Sequence, residues 1–265
     1  MIDATTFLVE QPADGVLLVT LNRPERMNAQ TPAMFEEFEE LARALRRPGS
    51  LRAVIMTGAG RAFCAGFDLD LADELAGLTP MGMLDRQDVA SGALSSLRGI
   101  PIPLIAAING PSAGGGFALA LAADIRLASP AARFNAAFVR IGLSAGDLGT
   151  SWLLPRLIGP GRAAEIAYTG RFVEADEAER IGLVNRVVPA ESLIDEALAL
   201  AAQIAANSPA GVQLSKRALQ ANMDIGYAAA LELENRGQAL LTRGEDMPEA
   251  LSAFKERRTP NFTGR

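Results

Sequence analysis

Histidine is absent from the 265 residues, and cysteine occurs once, at Cys64. Ser-His-Asp and Cys-His nucleophilic chemistry in their usual forms are therefore removed, leaving carboxylates, lysines, tyrosines and backbone amides as candidate catalytic groups. A single cysteine builds no disulfide framework, and no Cys/His cluster has metal-ligand spacing. Two small-residue segments stand out instead. In residues 61–69 (RAFCAGFDL), Ala65 and Gly66 let the backbone approach a ligand closely, which is how a main-chain N–H is presented to an oxygen. Alone, that segment reads equally well as a glycine turn beside a buried cysteine. In residues 107–117 (AINGPSAGGGF), a strand runs through a tight turn into a helix. Gly114, Gly115 and Gly116 there combine close approach, unsatisfied N–H groups and the positive end of a helix dipole, all of which favour developing negative charge. A plain helix start does not explain three successive glycines.

These segments must be positioned by the elements around them. Residues 16–21 (VLLVTL) and 53–57 (AVIMT) are β-branched-rich runs ended by turn residues, with helical spacing over 32–46 between them. A third apolar run, 104–109, leads into the glycine cluster and an Ala/Leu-rich buried helix reaching residue 123, and runs at 125–128 and 183–188 complete the strands. Strand and helix alternate to about residue 190, which indicates an α/β core. Beyond it, residues 192–206, 209–221, 227–242 and 247–256 read as helices without intervening strands. The chain thus divides into a core, 1–190, and a helical region, 191–265, whose Ala/Leu faces are too extensive for isolated helices and should pack on the core or on a neighbouring subunit. Residues 257–265 form a polar end that either frays or reaches a ligand.

The formal charge of -6 and sequence pI near 4.9, with no basic run interleaved with aromatics, argue against a nucleic-acid partner and against an anionic membrane surface. No signal-like region opens the chain and no apolar run approaches bilayer-spanning length, so a soluble cytoplasmic protein is expected.

Taken together and in order, the two glycine segments, residues 21–24 (LNRP) with Asn28-Ala29, 123–126 (ADIR), 154–159 (LPRLIG), 169–171 (TGR), 182–185 (GLVN) and 254–258 (FKERR) resemble the crotonase superfamily, also called the enoyl-CoA hydratase/isomerase family. The resemblance covers nearly the whole chain. It implies a crotonase-type spiral of β-β-α units, with C-terminal helices that assemble trimers or dimers of trimers, and an acyl-CoA or enoyl-CoA substrate. It also implies an oxyanion hole whose two N–H donors belong to Phe67 and Gly115, each such donor being worth roughly 3–4 kcal/mol to a thioester enolate. By the same resemblance Arg26 and Met27 lie where relatives contact the nucleotide end of CoA, Ala65, Asp68, Leu69 and Phe138 are substrate-contacting positions, and Lys255 and Phe262 approach a neighbour's CoA. Read from its own surroundings, Asp68 fixes its loop, and Asp124 is a buried structural acceptor. No metal or redox cofactor is indicated, and coenzyme A enters as part of the substrate.

The pattern also fails at two places. Hydratases of the family use two glutamates, and counting along this chain puts Ala118 and Phe138 at those positions, where neither can carry a proton. Some isomerases of the family place an acting aspartate before a similar hydrophobe-Gly-Thr sequence, and Asp147 in residues 143–150 (LSAGDLGT) is the corresponding carboxylate. The same residue suits the N-cap of a helix over 148–157, and the two roles carry equal weight. The functional alternatives are an isomerase or unusual hydratase using Asp147, a thioester hydrolase or decarboxylase on the same enolate hole, and a non-catalytic acyl-CoA binder.

Overall fold

Short buried runs separated by helices can pair in parallel, because each helix carries the chain back along the sheet. The computed structural model, which describes residues 4–265 apart from the side chains of Ala72 and Ala76, is built in this way. Its strands are β1 (Phe7–Ala13), β2 (Val16–Leu21), β3 (Ala53–Gly58), β4 (Leu104–Ile108), β5 (Ser112–Ala113), β6 (Ile125–Ala128), β7 (Arg133–Asn135), β8 (Phe172–Glu174) and β9 (Arg186–Val187). A six-stranded sheet runs β1-β2-β3-β4-β6-β9, and β5-β7-β8 form a smaller three-stranded one. Every pair from β2 onward in the large sheet is parallel, while β1 folds antiparallel onto β2 as an edge hairpin.

The helices are α1 (Pro32–Leu45), α2 (Ala72–Ala76), α3 (Pro80–Arg98), α4 (Gly115–Ala122), α5 (Thr150–Ile158), α6 (Pro160–Thr169), α7 (Ala175–Arg180), α8 (Leu193–Ala205), α9 (Pro209–Ala221), α10 (Tyr227–Leu241) and α11 (Asp246–Glu256). The start of α1 follows from local chemistry, since Thr31 accepts the Met34 N–H at 3.2 Å and Pro32 opens the first turn. Met34, Phe38, Leu41 and Leu45 then recur on one face and are buried. The strand β3 is buried at every position, which its two neighbours across the sheet explain. Val54 and Met56 face a core shared with α1, α3 and α4, whereas Ala53 and Ile55 face Leu193, Ala197 and Ala201 of α8. Hence α8 covers one face of the sheet. Helix α9 is fastened nearby by Lys216, whose Nζ lies 2.7 Å from Asp124 Oδ2 and donates to the Ile102 carbonyl at 2.9 Å.

Three local expectations need correction. The strand expected over 183–188 is reduced to Arg186–Val187, because the N–H groups of Leu183 and Val184 bond back to the Ala178 carbonyl and close α7 instead. β1 has no counterpart in the sequence reading, since only Phe7 of its residues is buried and an exposed edge strand shows little hydrophobic patterning. Residues 257–265 do not fray: Asn261 N–H donates to Glu249 at 2.7 Å, Thr263 and Gly264 N–H donate to Asp246 at 2.8 and 3.1 Å, and Glu245 N–H donates to the Arg265 carbonyl at 2.6 Å. The tail therefore folds back along α11. Among the described residues no helix is long and apolar enough to cross a membrane.

Candidate functional site

The two glycine segments meet side by side. Phe63 and Cys64 N–H groups donate to the Pro111 carbonyl at 3.1 and 3.2 Å, and Ala113 N–H donates to the Cys64 carbonyl at 3.1 Å. On the other side of the 61–69 segment, Ala65 N–H reaches the Met27 carbonyl at 3.0 Å, Gln30 N–H reaches the Gly66 carbonyl at 2.6 Å, and Asp68 N–H reaches the Gln30 carbonyl at 2.9 Å. Three stretches of chain, 27–30, 64–68 and 111–113, thus lie edge to edge. A β-carbon built on Gly66 would sit 3.3 Å from the Gly115 nitrogen, so the two segments bring their candidate amides into one small region.

The orientation of both donors follows from peptide geometry. In a trans peptide the C=O and N–H point in opposite directions. The Gly66 carbonyl faces Gln30, so the Phe67 N–H on the same peptide faces away from it. The Gly114 carbonyl accepts from Ala118 N–H at 3.0 Å in the first turn of α4, so the Gly115 N–H projects from the helix start. Among the described residues neither N–H donates to a protein acceptor. Each belongs to an amide whose carbonyl accepts a hydrogen bond, an arrangement that polarises the N–H toward a stronger donor.

Each glycine of the triplet has its own reason. Gly114 has φ 51° and ψ -122°, a conformation essentially restricted to glycine. On Gly115 a β-carbon would lie 2.1 Å from Gln30 Oε1, and on Gly116 it would lie 2.0 Å from the Cys64 carbonyl oxygen. The middle and last glycines are therefore demanded by space.

Phe138 and Leu148 close over this region. Phe138 is buried, with Cε1 at 3.9 Å from a β-carbon placed on Gly114, and Leu148 Cδ1 lies 3.3 Å from one placed on Gly115. Ala118 is fully buried in α4. Asp147 immediately precedes Leu148, and burial pushes its carboxyl above the ordinary carboxylate range, against hydrogen bonds from the Leu148 N–H and the Gln87 side chain of α3. The helix-cap reading of Asp147 is overturned. Helix α5 begins at Thr150 with Gly149 as its cap and no side-chain cap bond. Between Asp147 and the helix the chain turns through Leu148 at φ 47° and Gly149 at φ 81°, and Thr150 N–H closes the turn on the Asp147 carbonyl at 2.8 Å. A leucine in the left-handed region is strained by about 1–3 kcal/mol, and such strain collects where a side chain must be aimed.

The remaining expected residues distribute unevenly. Asp68 is buried and fixes its loop: burial raises its pKa, but Arg23 at 2.8 Å and the Asp70 N–H outweigh that and hold it below its usual value. Arg26 pairs with Asp70, and Met27 sits at φ 51° with its carbonyl bound to Ala65, so both belong to the rim beside the 64–68 stretch. Ala65 is half-buried and Leu69 is exposed. Lys255 is exposed on α11, and Phe262 lines a groove of about 680 Å³ with Lys216, Leu219 and Ile204. Within one chain no hydrogen bond among the described residues joins either to Phe67 or Gly115. Asp124 is a structural acceptor, holding Leu104 N–H at 2.8 Å as well as Lys216. The Cys64 thiol is pushed up to about 12 by burial, which keeps it protonated and inert. Among the described residues no three Asp, Glu or Cys side chains gather as metal ligands.

Gln30, Gln87 and Leu148 escaped the sequence reading. Gln87 and Leu148 carry no signal beyond ordinary helix and loop chemistry. For Gln30 the available signal is its place two residues after Asn28, a fully buried side chain that holds the Arg23 N–H and the Ala59 and Ala62 carbonyls together.

A family model described as enoyl-CoA hydratase/isomerase matches residues 11–265. A Mycobacterium tuberculosis protein named as a probable enoyl-CoA hydratase is 44% identical over 264 residues, covering 97% of this chain and 92% of its own. The 1,2-epoxyphenylacetyl-CoA isomerase of Escherichia coli is 36% identical, covering 98% and 99%. The crystal structure of an enoyl-CoA hydratase from Bacillus anthracis superimposes with a TM-score of 0.93 at 35% identity, covering 98% of this chain and 100% of that one.

Proposed function

Because the chain belongs to the enoyl-CoA hydratase/isomerase family and has its crotonase-type α/β fold, we propose that it moves the double bond of an enoyl-CoA thioester by proton transfer through Asp147. In this reading the thioester oxygen sits between the N–H groups of Phe67 and Gly115. The ionised Asp147 takes a proton from the acyl chain, the electron pair of the broken C–H bond moves through the conjugated system to the thioester oxygen, and the two amides stabilise the dienolate. Asp147 then returns the proton to a different carbon, and the dienolate electrons form the shifted double bond. Mass and oxidation state are unchanged. One carboxylate suffices for such a shuttle, whereas syn hydration by the family's two glutamates needs groups that Ala118 and Phe138 cannot provide.

The observation that carries this reading is the pairing of a carboxylate of raised proton affinity with a strained turn whose next residue, Leu148, packs on Gly115. A general base poised above the ordinary carboxylate range is better matched to proton transfer near neutrality. The name of the Escherichia coli relative, an isomerase of a CoA thioester, is in keeping with it. Arg26 and Met27 are assigned to the nucleotide end of CoA, with Ala65, Leu69 and Phe138 along the thioester and acyl chain. Lys255 and Phe262 serve the neighbouring subunit of a homotrimer or dimer of trimers built on the helices of residues 191–265. The cytoplasm is the assigned compartment, in keeping with one buried free cysteine.

The test is incubation with a panel of 2-enoyl- and 3-enoyl-CoAs, following ultraviolet absorbance and product mass. The expected outcome is an absorbance change at constant mass. A product heavier by one water would replace isomerisation by hydration, release of free CoA would indicate hydrolysis, and tight binding without product would leave a binding role.

A further inference from the structure

We propose that Gln30 is a positioning residue that sets the spacing of the two candidate oxyanion amides, holding the Phe67 peptide with its backbone and Gly115 with its side chain. The inference rests on the reading of those amides as the thioester-binding pair.

Gln30 is the residue through which both amides are tied to one point. Its N–H donates to the Gly66 carbonyl at 2.6 Å and its carbonyl accepts from Asp68 at 2.9 Å, so the Phe67 residue is gripped on both sides. Its side chain crosses to the other segment, 85 residues away in sequence, where Nε2 donates to the Gly115 carbonyl at 3.1 Å. The side chain is wholly buried, and Oε1 lies against Gly115 with no hydrogen-bond partner. The seat is specific to this carboxamide: a β-carbon on Gly115 would lie 2.1 Å from Gln30 Oε1, while the nearest other residue, Leu148, would be 3.3 Å away.

A buried acceptor without a partner weakens the fold. An apolar side chain of the same length would avoid that loss and still fill the space, so packing alone does not account for a glutamine here. What the carboxamide adds is a directional bond to the Gly115 residue from a backbone already fixed against Phe67. Two donors must converge on one oxygen with small tolerance, and a misplacement of about 1 Å can cost on the order of a hundredfold in rate. A bond between the two segments at this point restricts that movement.

The test uses Gln30→Met, which keeps the length and removes the bond to Gly115. The readouts are kcat and KM with a substrate found in the enoyl-CoA panel, the melting temperature, and the infrared carbonyl stretch of a bound, unreactive acyl-CoA labelled with 13C at the thioester carbonyl. In the wild type the two donors should lower that stretch relative to free ligand. Gln30→Met should move it back toward the free value and reduce kcat by about ten- to a hundredfold, with KM changed by less than about threefold. Gln30→Leu removes the same bond with a different apolar side chain, and should show the same loss even if the methionine variant folds poorly. A full carbonyl shift with unchanged kcat in either folded variant would overturn the assignment. An unshifted carbonyl in the wild type would instead overturn the oxyanion reading on which the assignment rests, and the assignment with it.

Discussion

At Asp147 burial and hydrogen bonding pull the carboxyl in opposite directions, and the balance bears on the proposed base role and on stability. Burial raises its pKa, and the bonds from Leu148 and Gln87 only partly offset this. The proposed base must be ionised, so kcat/KM should rise with pH through the raised pKa of this carboxyl and fall on the acid side. Asp147→Asn should lower turnover by about 10²–10⁴-fold, the usual contribution of a positioned acid/base group. The stability effect has the opposite sign. A carboxyl whose folded pKa exceeds its unfolded value, about 3.9, contributes most below that value and loses the contribution as pH rises through the folded pKa. At a pH above the folded pKa the ionised group therefore subtracts from stability, and Asp147→Asn should melt there at or above the wild type. The gap should close below about pH 4, and calorimetry at the two pH values checks it. Unaltered turnover in the variant would return attention to substrate-assisted chemistry or to binding without catalysis.

At the scale of elements, the region after residue 190 is joined to the sheet in two different ways. Helix α8 does so by apolar burial against β3 and β4, which the small side chains Ala197 and Ala201 permit at close range. Helix α9 does so by charge and hydrogen bonds, through Lys216 to Asp124 and Ile102 and through Gln220 to the Arg98 carbonyl at 3.0 Å. Lys216 is buried, and burial lowers its pKa against the opposing pull of Asp124. Removing one partner of a buried pair leaves the other uncompensated, at a cost of roughly 3–5 kcal/mol. Since Asp124 keeps the Leu104 N–H and is about a quarter exposed, Lys216→Ala should fall near the lower end, about 3 kcal/mol by urea unfolding. A change within about 0.5 kcal/mol, as at ordinary surface positions, would mean that α9 is held by its apolar contacts alone.

For the whole molecule, the surface of the later helices stands out. Leu219, Leu240, Leu251 and Phe254 are exposed, Phe254 at 84% of its surface. Scattered apolar side chains are common on protein surfaces, but several large ones on successive helices fit a covered face. Light scattering on the full chain should report a trimer or a multiple of it, and Phe254→Asp with Leu251→Asp should shift the assembly toward monomer while far-ultraviolet circular dichroism stays unchanged. A monodisperse wild-type monomer at micromolar concentration would contradict the trimer.

Much of this architecture was legible along the chain because its causes are local. Thr31 and Pro32 start α1, and Met34, Phe38, Leu41 and Leu45 give it a buried face, all within a few turns. The resemblance to the family lay in the two glycine segments together with the shorter motifs in their order along the chain, all of it carried by the residues themselves. That Ala118 and Phe138 stand where counting places the family's two glutamates was equally a matter of reading the chain. Tertiary structure decided the rest. Gln30 joins Gly66 and Gly115 across long stretches of sequence, so nothing near it announces the contact. The need for glycine at position 115 arises from that side chain, and at 116 from the Cys64 carbonyl. Whether Asp147 capped a helix or stood apart from it depended on two left-handed residues, and the direction of its pKa shift depended on burial by distant segments, since desolvation is set by everything that surrounds a group and not by its neighbours in sequence.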